Sequence, residues 1–112
     1  DIIVELEGFA VYPEKRQRAQ EWMKFLKANQ TRVNYTLLAE NMQLEHIFSI
    51  TLNDTLYLCW YSNQTAPSRP VEESTDPIDR KHLAFWDECI DDSKPTVKFK
   101  LENTFTPPIT SN

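Results

Sequence analysis

The chain has 112 residues, enough for one apolar core and too few for two, so a single domain over residues 1–112 is expected. Its formal charge of −5 argues against a polyanion partner, because holding phosphates takes clustered cations, so no nucleic-acid partner is expected. No apolar run approaches the ~20 residues that cross a bilayer and no segment reads as a leader, so no membrane partner is expected either.

Residues 2–11 read as a strand in which Ile2, Val4 and Leu6 alternate with Ile3, Glu5 and Glu7. Gly8, the only glycine, marks a bulge or a close backbone approach. Pro13 opens a helix, with Glu14 at its positive end. Ala19, Trp22, Met23 and Leu26 recur at helical spacing as the buried stripe, while Lys15, Arg18, Glu21 and Lys24 take the wet side.

Residues 31–42 fit two patterns. Val33, Tyr35, Leu37 and Ala39 alternate like a strand, whereas Val33, Leu37 and Leu38 share a helix face. A helix leaves four strands in βαββαβ order, a closed arrangement, and a strand leaves one more to place, so the helix is adopted.

Residues 44–52 form a strand, Asn53-Asp54 a tight turn, and residues 56–61 the returning strand. Residues 62–75, with Pro67 and Pro70, read as a loop. Asp76 is suited to cap a helix that has Pro77 in first position, runs to 91 and buries Ile78, Phe85, Trp86, Cys89 and Ile90. After Pro95, Val97, Phe99 and Leu101 mark a last strand, and residues 103–112 an extended tail that could drape on a partner chain. The fold class expected is α+β: a ferredoxin-like four-stranded antiparallel sheet with helices on one face.

Assigned by alternation, the helix-covered face carries Ile2, Val4, Leu6, His46, Phe48, Ile50, Leu58, Trp60 and Val97. The other face carries Ile3, Glu5, Glu7, Glu45, Ile47, Tyr57, Cys59, Tyr61 and Lys98. That second face is too apolar at Ile3, Ile47 and Tyr57 to be left in water, which points to a homodimer through the open sheet face.

Cys59 and Cys89 lack the short paired spacings of zinc or redox motifs and suit two buried thiols of a reducing compartment, so a cytoplasmic location is expected. Four Asn-x-Thr patterns begin at Asn29, Asn34, Asn53 and Asn63; these residues also serve turns and caps for local hydrogen-bonding reasons.

With one glycine the chain has no dinucleotide fingerprint and no phosphate-cradling loop, since both need several glycines for backbone N–H groups to reach the anion. No nucleophile elbow surrounds any serine. The candidates that remain are His46 and Trp60 on adjacent strands, His82 and Trp86 four apart on the last helix, and Glu40. Together they could stack a flat or sugar-like ligand and offer imidazole as acid or base. A metal set of His46 and His82 with Glu40 or Glu45 lacks any dedicated short spacing, so neither a metal nor an organic cofactor is expected.

The segments TLLAENMQLEHIF, TLYLCWYS, DPIDRKHLAFWDECI and QEWMKFL resemble a bacterial family of uncharacterised small proteins in the dimeric α+β barrel superfamily. That superfamily includes antibiotic-biosynthesis monooxygenases, haem-degrading enzymes and L-rhamnose mutarotases. The resemblance covers roughly residues 3–91 and implies the fold, a homodimer and a ligand cleft between helices and sheet, but no catalytic motif. The glycine usual after the Glu of its TL-x-x-E pattern is Asn41 here.

Three functions follow as expectations. The first is a small-ligand-binding dimer. The second is an enzyme acting on a small carbonyl, sugar or aromatic compound without an organic cofactor, with His82 or His46 as proton shuttle. The third is a pure interaction module.

Overall fold

The computed structural model describes residues 2–109. Strand β1 (Ile3–Ala10) leads through a 3₁₀ turn at Pro13–Lys15 into α1 (Arg16–Ala28). The segment with two readings is helical: α2 (Gln30–Ala39) follows α1 after Asn29. Asn41, just past its end, has φ 61°, the left-handed geometry that lets a chain leave a helix and that asparagine tolerates better than most residues. Asn41 thus meets a backbone requirement that glycine also meets.

Strand β2 (Met42–Leu52) and β3 (Thr55–Gln64) form a hairpin around Asn53 and Asp54, with φ 48° and 63°. Positive φ at both loop residues matches the right-handed twist of the strands, and Asn and Asp are among the few side chains that accept it. Strand β3 continues through Ser62, Asn63 and Gln64, residues expected to lie in a loop. Their pairing with β1 and β2 outweighs their low strand propensity.

Helix α3 (Pro77–Cys89) starts as expected, with the Asp76 carboxylate accepting from the Ile78 N–H at 2.8 Å and Pro77 in the first turn. The sheet order is β2-β3-β1-β4, and every neighbouring pair is antiparallel. This is the ferredoxin-like arrangement, with the helices on one face.

The core lies between α1, α3 and the sheet. Trp22 and Cys89 are fully buried, joined by Val11, Ala19, Leu58, Phe85 and Ile90. Main-chain bonds from Tyr12 N–H to the Cys89 carbonyl and from Asp91 N–H to the Ala10 carbonyl tie the exit of α3 to the exit of β1. Lys15 and Arg18 reach across to Glu88 at 3.1 Å, so part of the basic stretch on α1 is occupied by pairing within the chain.

Three expectations need correction. Gly8 sits at no bulge, because β1 pairs with β3 in continuous register; a Cβ there would stand 2.9 Å from Cys59 Sγ, so the glycine serves close approach. The irregularity in the sheet lies instead between Met42 and Leu44. Strand β4 is only Val97–Lys98, followed by one further bond from the Phe99 N–H to the Leu6 carbonyl. Beyond it the chain leaves the sheet, with Leu101, Phe105 and Ile109 exposed. The radius of gyration, 15.7 Å, exceeds the ~13 Å of a compact chain this size because this arm projects.

The third correction concerns the faces. Residues directly opposite in an antiparallel pair share a face. Glu7 and Ile47 both pair with Trp60, and Glu5 and Glu45 both pair with Ser62. Since Trp60 meets Trp22 and Trp86, the covered face carries Ile3, Glu5, Glu7, Glu45 and Ile47. Val4, Leu6, His46, Phe48 and Ile50 lie on the open face. The assignment of β3 stands, while those of β1, β2 and β4 are reversed: Lys98 pairs with Glu7 on the covered face and Val97 with Gly8 on the open one.

Candidate functional site

Between the covered face and the ends of the helices lies a cleft of about 1150 Å³, comparable to the upper range of small-molecule sites. Its floor comes from β1, β2 and β3 and its walls from α2 and α3, with residues 68–72 at the rim. The register sorts the floor into two ends. Trp60 and Ile47 make one end largely apolar, with Glu7 the acid in their row, and two residues further along the same strands Ser62 and Glu45 begin the polar end, with Glu5 and Gln64 beside them.

The wall repeats this division. Asp79, His82 and Trp86 follow each other at helical spacing along one stripe of α3, with Asp79 about 10 Å from Trp86 along the axis. Trp86 and Trp60 meet with ring centroids 5.0 Å apart, so the aromatic ends of floor and wall coincide. Both indoles are half-buried, leaving part of each ring surface to the cleft.

At the polar end Gln64 is 2% exposed and donates to the Ser62 hydroxyl at 2.9 Å and to the Glu5 carboxylate. Glu40, at the C-cap of α2, and Glu45 are both half-buried and neither makes an ion pair with a described residue. Burial pushes each carboxyl up to about 7, with neighbouring Asp79 adding to both and Glu45 to Glu40. The physical cause is the cost of charge in a partly dry site without a countercharge.

Of the candidates from the sequence, the structure brings Glu40, Trp60, His82 and Trp86 to one cleft. His46 borders the same cleft, but on edge strand β2 its ring turns to the open side and stacks against Tyr61, 5.8 Å away with planes 20° apart. His82 sits differently from a free proton shuttle. Its Nδ1 accepts from the Trp22 indole N–H at 3.0 Å, and burial lowers its pKa, so near neutrality it is an uncharged imidazole with the proton on Nε2.

Asp79, Gln64 and Ser62 were not singled out from the sequence, and Glu5, with Glu7, Glu45 and Lys98, was expected to line a polar channel on the opposite face, inside a dimer. Asp79, in the first turn of α3, reads as an ordinary helix-dipole carboxylate, yet it is 7% exposed. The one signal available was the recurrence of polar side chains on a single face of three strands, which emerges only once the register is known. Among the described residues no three His, Cys, Asp or Glu side chains converge to hold a metal ion, and no helix is long and apolar enough to cross a membrane.

Fold and site together define a small α+β protein of ferredoxin-like topology with an amphipathic cleft on its helical side. The chain belongs to DUF6176, a family of unknown function whose profile matches residues 2–112. No curated protein matches it. Among solved structures it is similar to an L-rhamnose mutarotase from Formosa agariphila, at 14% identity and a TM-score of 0.47, over 95% of this chain and 99% of that one.

Proposed function

We propose that the protein binds a small organic molecule in the cleft between α2, α3 and the sheet, and that it does so as a homodimer. The observation carrying the first part is the convergence of two half-buried indoles with the carboxylates of Glu40, Glu45 and Asp79, which have no ion-pair partner among the described residues. Apolar walls with a few aimed polar groups are what ligand sites require. The test is a thermal-shift screen of a metabolite library, since a ligand held only by the folded state raises its stability by mass action. The reading is lost if no compound shifts the wild-type protein.

The dimer rests on the open face. Phe48 is 55%, Ile50 46% and Leu52 49% exposed along one edge strand, continued by Leu44, an apolar strip of the kind that marks an interface, and Val97 is exposed on the opposite edge strand. A second copy laid face to face would cover it. The arm fits the same picture: Val97, Phe99, Leu101, Phe105 and Ile109 all stand at odd positions, one side of an extended chain, and are left in water by their own subunit. The two cysteines are free and buried, which supports a reducing, cytoplasmic setting.

A second reading, an enzyme moving a proton on the bound ligand, is favoured by Glu40 and Glu45, whose carboxyls at about 7 are poised to take and return protons near neutrality. Loss of turnover in Glu45→Gln with ligand binding retained is the result expected of it. Retained turnover assigns Glu45 to binding alone.

A further inference from the structure

We propose that the ligand of this cleft is an organic cation, an ammonium compound whose charged head sits at Asp79 and Glu45 and whose flat apolar body lies along Trp60 and Trp86. The inference rests on the cleft being a ligand site and adds the class of ligand. Its first support is Asp79. The residue is 7% exposed, lines the cleft, and forms no hydrogen bond or ion pair with any described residue. Among the described residues no fully enclosed polar side-chain atom is without a partner, so the Asp79 oxygens keep their remaining exposure toward the cleft. A carboxylate sunk this far and left unpaired is missing a cation.

No described residue supplies one. Lys27, Arg69 and Arg80 stand around the cleft, but all three are exposed, and none pairs with Glu40, Glu45 or Asp79. Nearby Arg32 is engaged with Asp76 at 3.5 Å. The carboxylates around Asp79 feel its charge and one another's, so a single positive head would relieve several unfavourable contacts at once. A metal ion is a poorer partner, because among the described residues no three acids, histidines or cysteines converge to ligate one.

The second support is the division of the cleft. Along β3 the face passes from Trp60 through Ser62 to Gln64, about 13 Å, and along α3 from Trp86 to Asp79, about 10 Å. Aromatic and acidic ends therefore lie one molecule's length apart on floor and wall alike. Indole faces also attract cations, so the aromatic end tolerates the charge in transit and favours a flat ring once it is seated.

Three isosteres separate charge from shape: tryptamine, tryptophol and indole-3-propionate, titrated calorimetrically into the full-length wild type, Asp79→Asn and Glu45→Gln. Tryptamine should bind at least tenfold more tightly than tryptophol, with indole-3-propionate weakest. Asp79→Asn should remove about tenfold of the tryptamine affinity while leaving tryptophol unchanged, and Glu45→Gln, the second variant should Asp79→Asn fold poorly, should act in the same direction. Tryptophol binding as tightly as tryptamine, or tryptamine affinity indifferent to both variants, overturns the cation and leaves the cleft standing. Silence from all three indoles and from the metabolite screen removes cleft and cation together.

Discussion

The indole N–H of Trp22, at the centre of the core, donates to Nδ1 of His82 at 3.0 Å, so the most buried aromatic residue sets the tautomer of a histidine that lines the cleft. An indole only donates, which makes Nδ1 the acceptor and Nε2 the protonated nitrogen. Trp22→Phe leaves that acceptor unpartnered beside a small void. Stability should fall by about 2–4 kcal/mol in urea titration, and the nitrogen NMR signature of a single His82 tautomer should be lost. An unchanged tautomer would show that some other group holds the ring.

Glu45 should make the protein less stable as pH rises. Its carboxyl is held at about 7 against an ordinary 4.5, so the folded state binds the proton more tightly than the unfolded chain. The stability it contributes is complete below the lower value and is lost as pH climbs through the upper one. His82 slopes the other way, its lowered pKa removing stability as pH falls below its ordinary 6.5. The comparison is therefore between wild type and Glu45→Gln at each pH. Near pH 8 the variant should be more stable by about 1 kcal/mol, a figure reduced for the group's partial exposure, and near pH 5 the two should converge.

Phe48→Glu should halve the mass of the folded protein in sizing experiments without unfolding it, because residue 48 stands 55% exposed on the open face. Ile47→Glu should do something different. Ile47 pairs with Trp60 on the covered side, so a charge there disturbs the helices and lowers the melting temperature. A wild type that already sizes as a monomer ends the face-to-face dimer.

Gly8→Ala should cost about 1–3 kcal/mol, since its new Cβ would meet Cys59 Sγ at 2.9 Å within a paired strand. Adding Cys59→Ala should recover part of that loss. A double-mutant cycle measures the coupling, and strictly additive losses would mean that the backbone, not the thiol, resists the methyl group.

Helices α1 and α3, the hairpin and the Asp76 cap were legible because local chemistry decides them, with Asp76-Pro77 at a helix start, Asn53-Asp54 in a turn that needs positive φ, and Trp22 and Phe85 on the buried stripes of their helices, whereas α2 followed only from the topology. The facing of β1 and β2 was not. Alternation says which residues of a strand share a side but not which side is covered, and the habit of turning the more apolar set inward fails here. In this sheet the covered side holds Glu5, Glu7 and Glu45 because it floors a polar cleft, whereas the side left open carries Phe48 and Ile50. In the expected assignment, that reversal turned the His46 ring toward the covered side and left Glu5 out of the site. Asp79 stayed hidden for a related reason: an acid in a first helical turn has an ordinary explanation that needs no cavity.

Helix α2 roofs the cleft without any fully buried residue of its own, while α1 and α3 are locked into the aromatic core. Choice of chemical group and tolerance of bulk therefore fall to different parts of the chain. Strand β2 and helix α3 hold Glu45 and Asp79, so a larger guest is expected to displace the roof before it disturbs Trp22 and its neighbours.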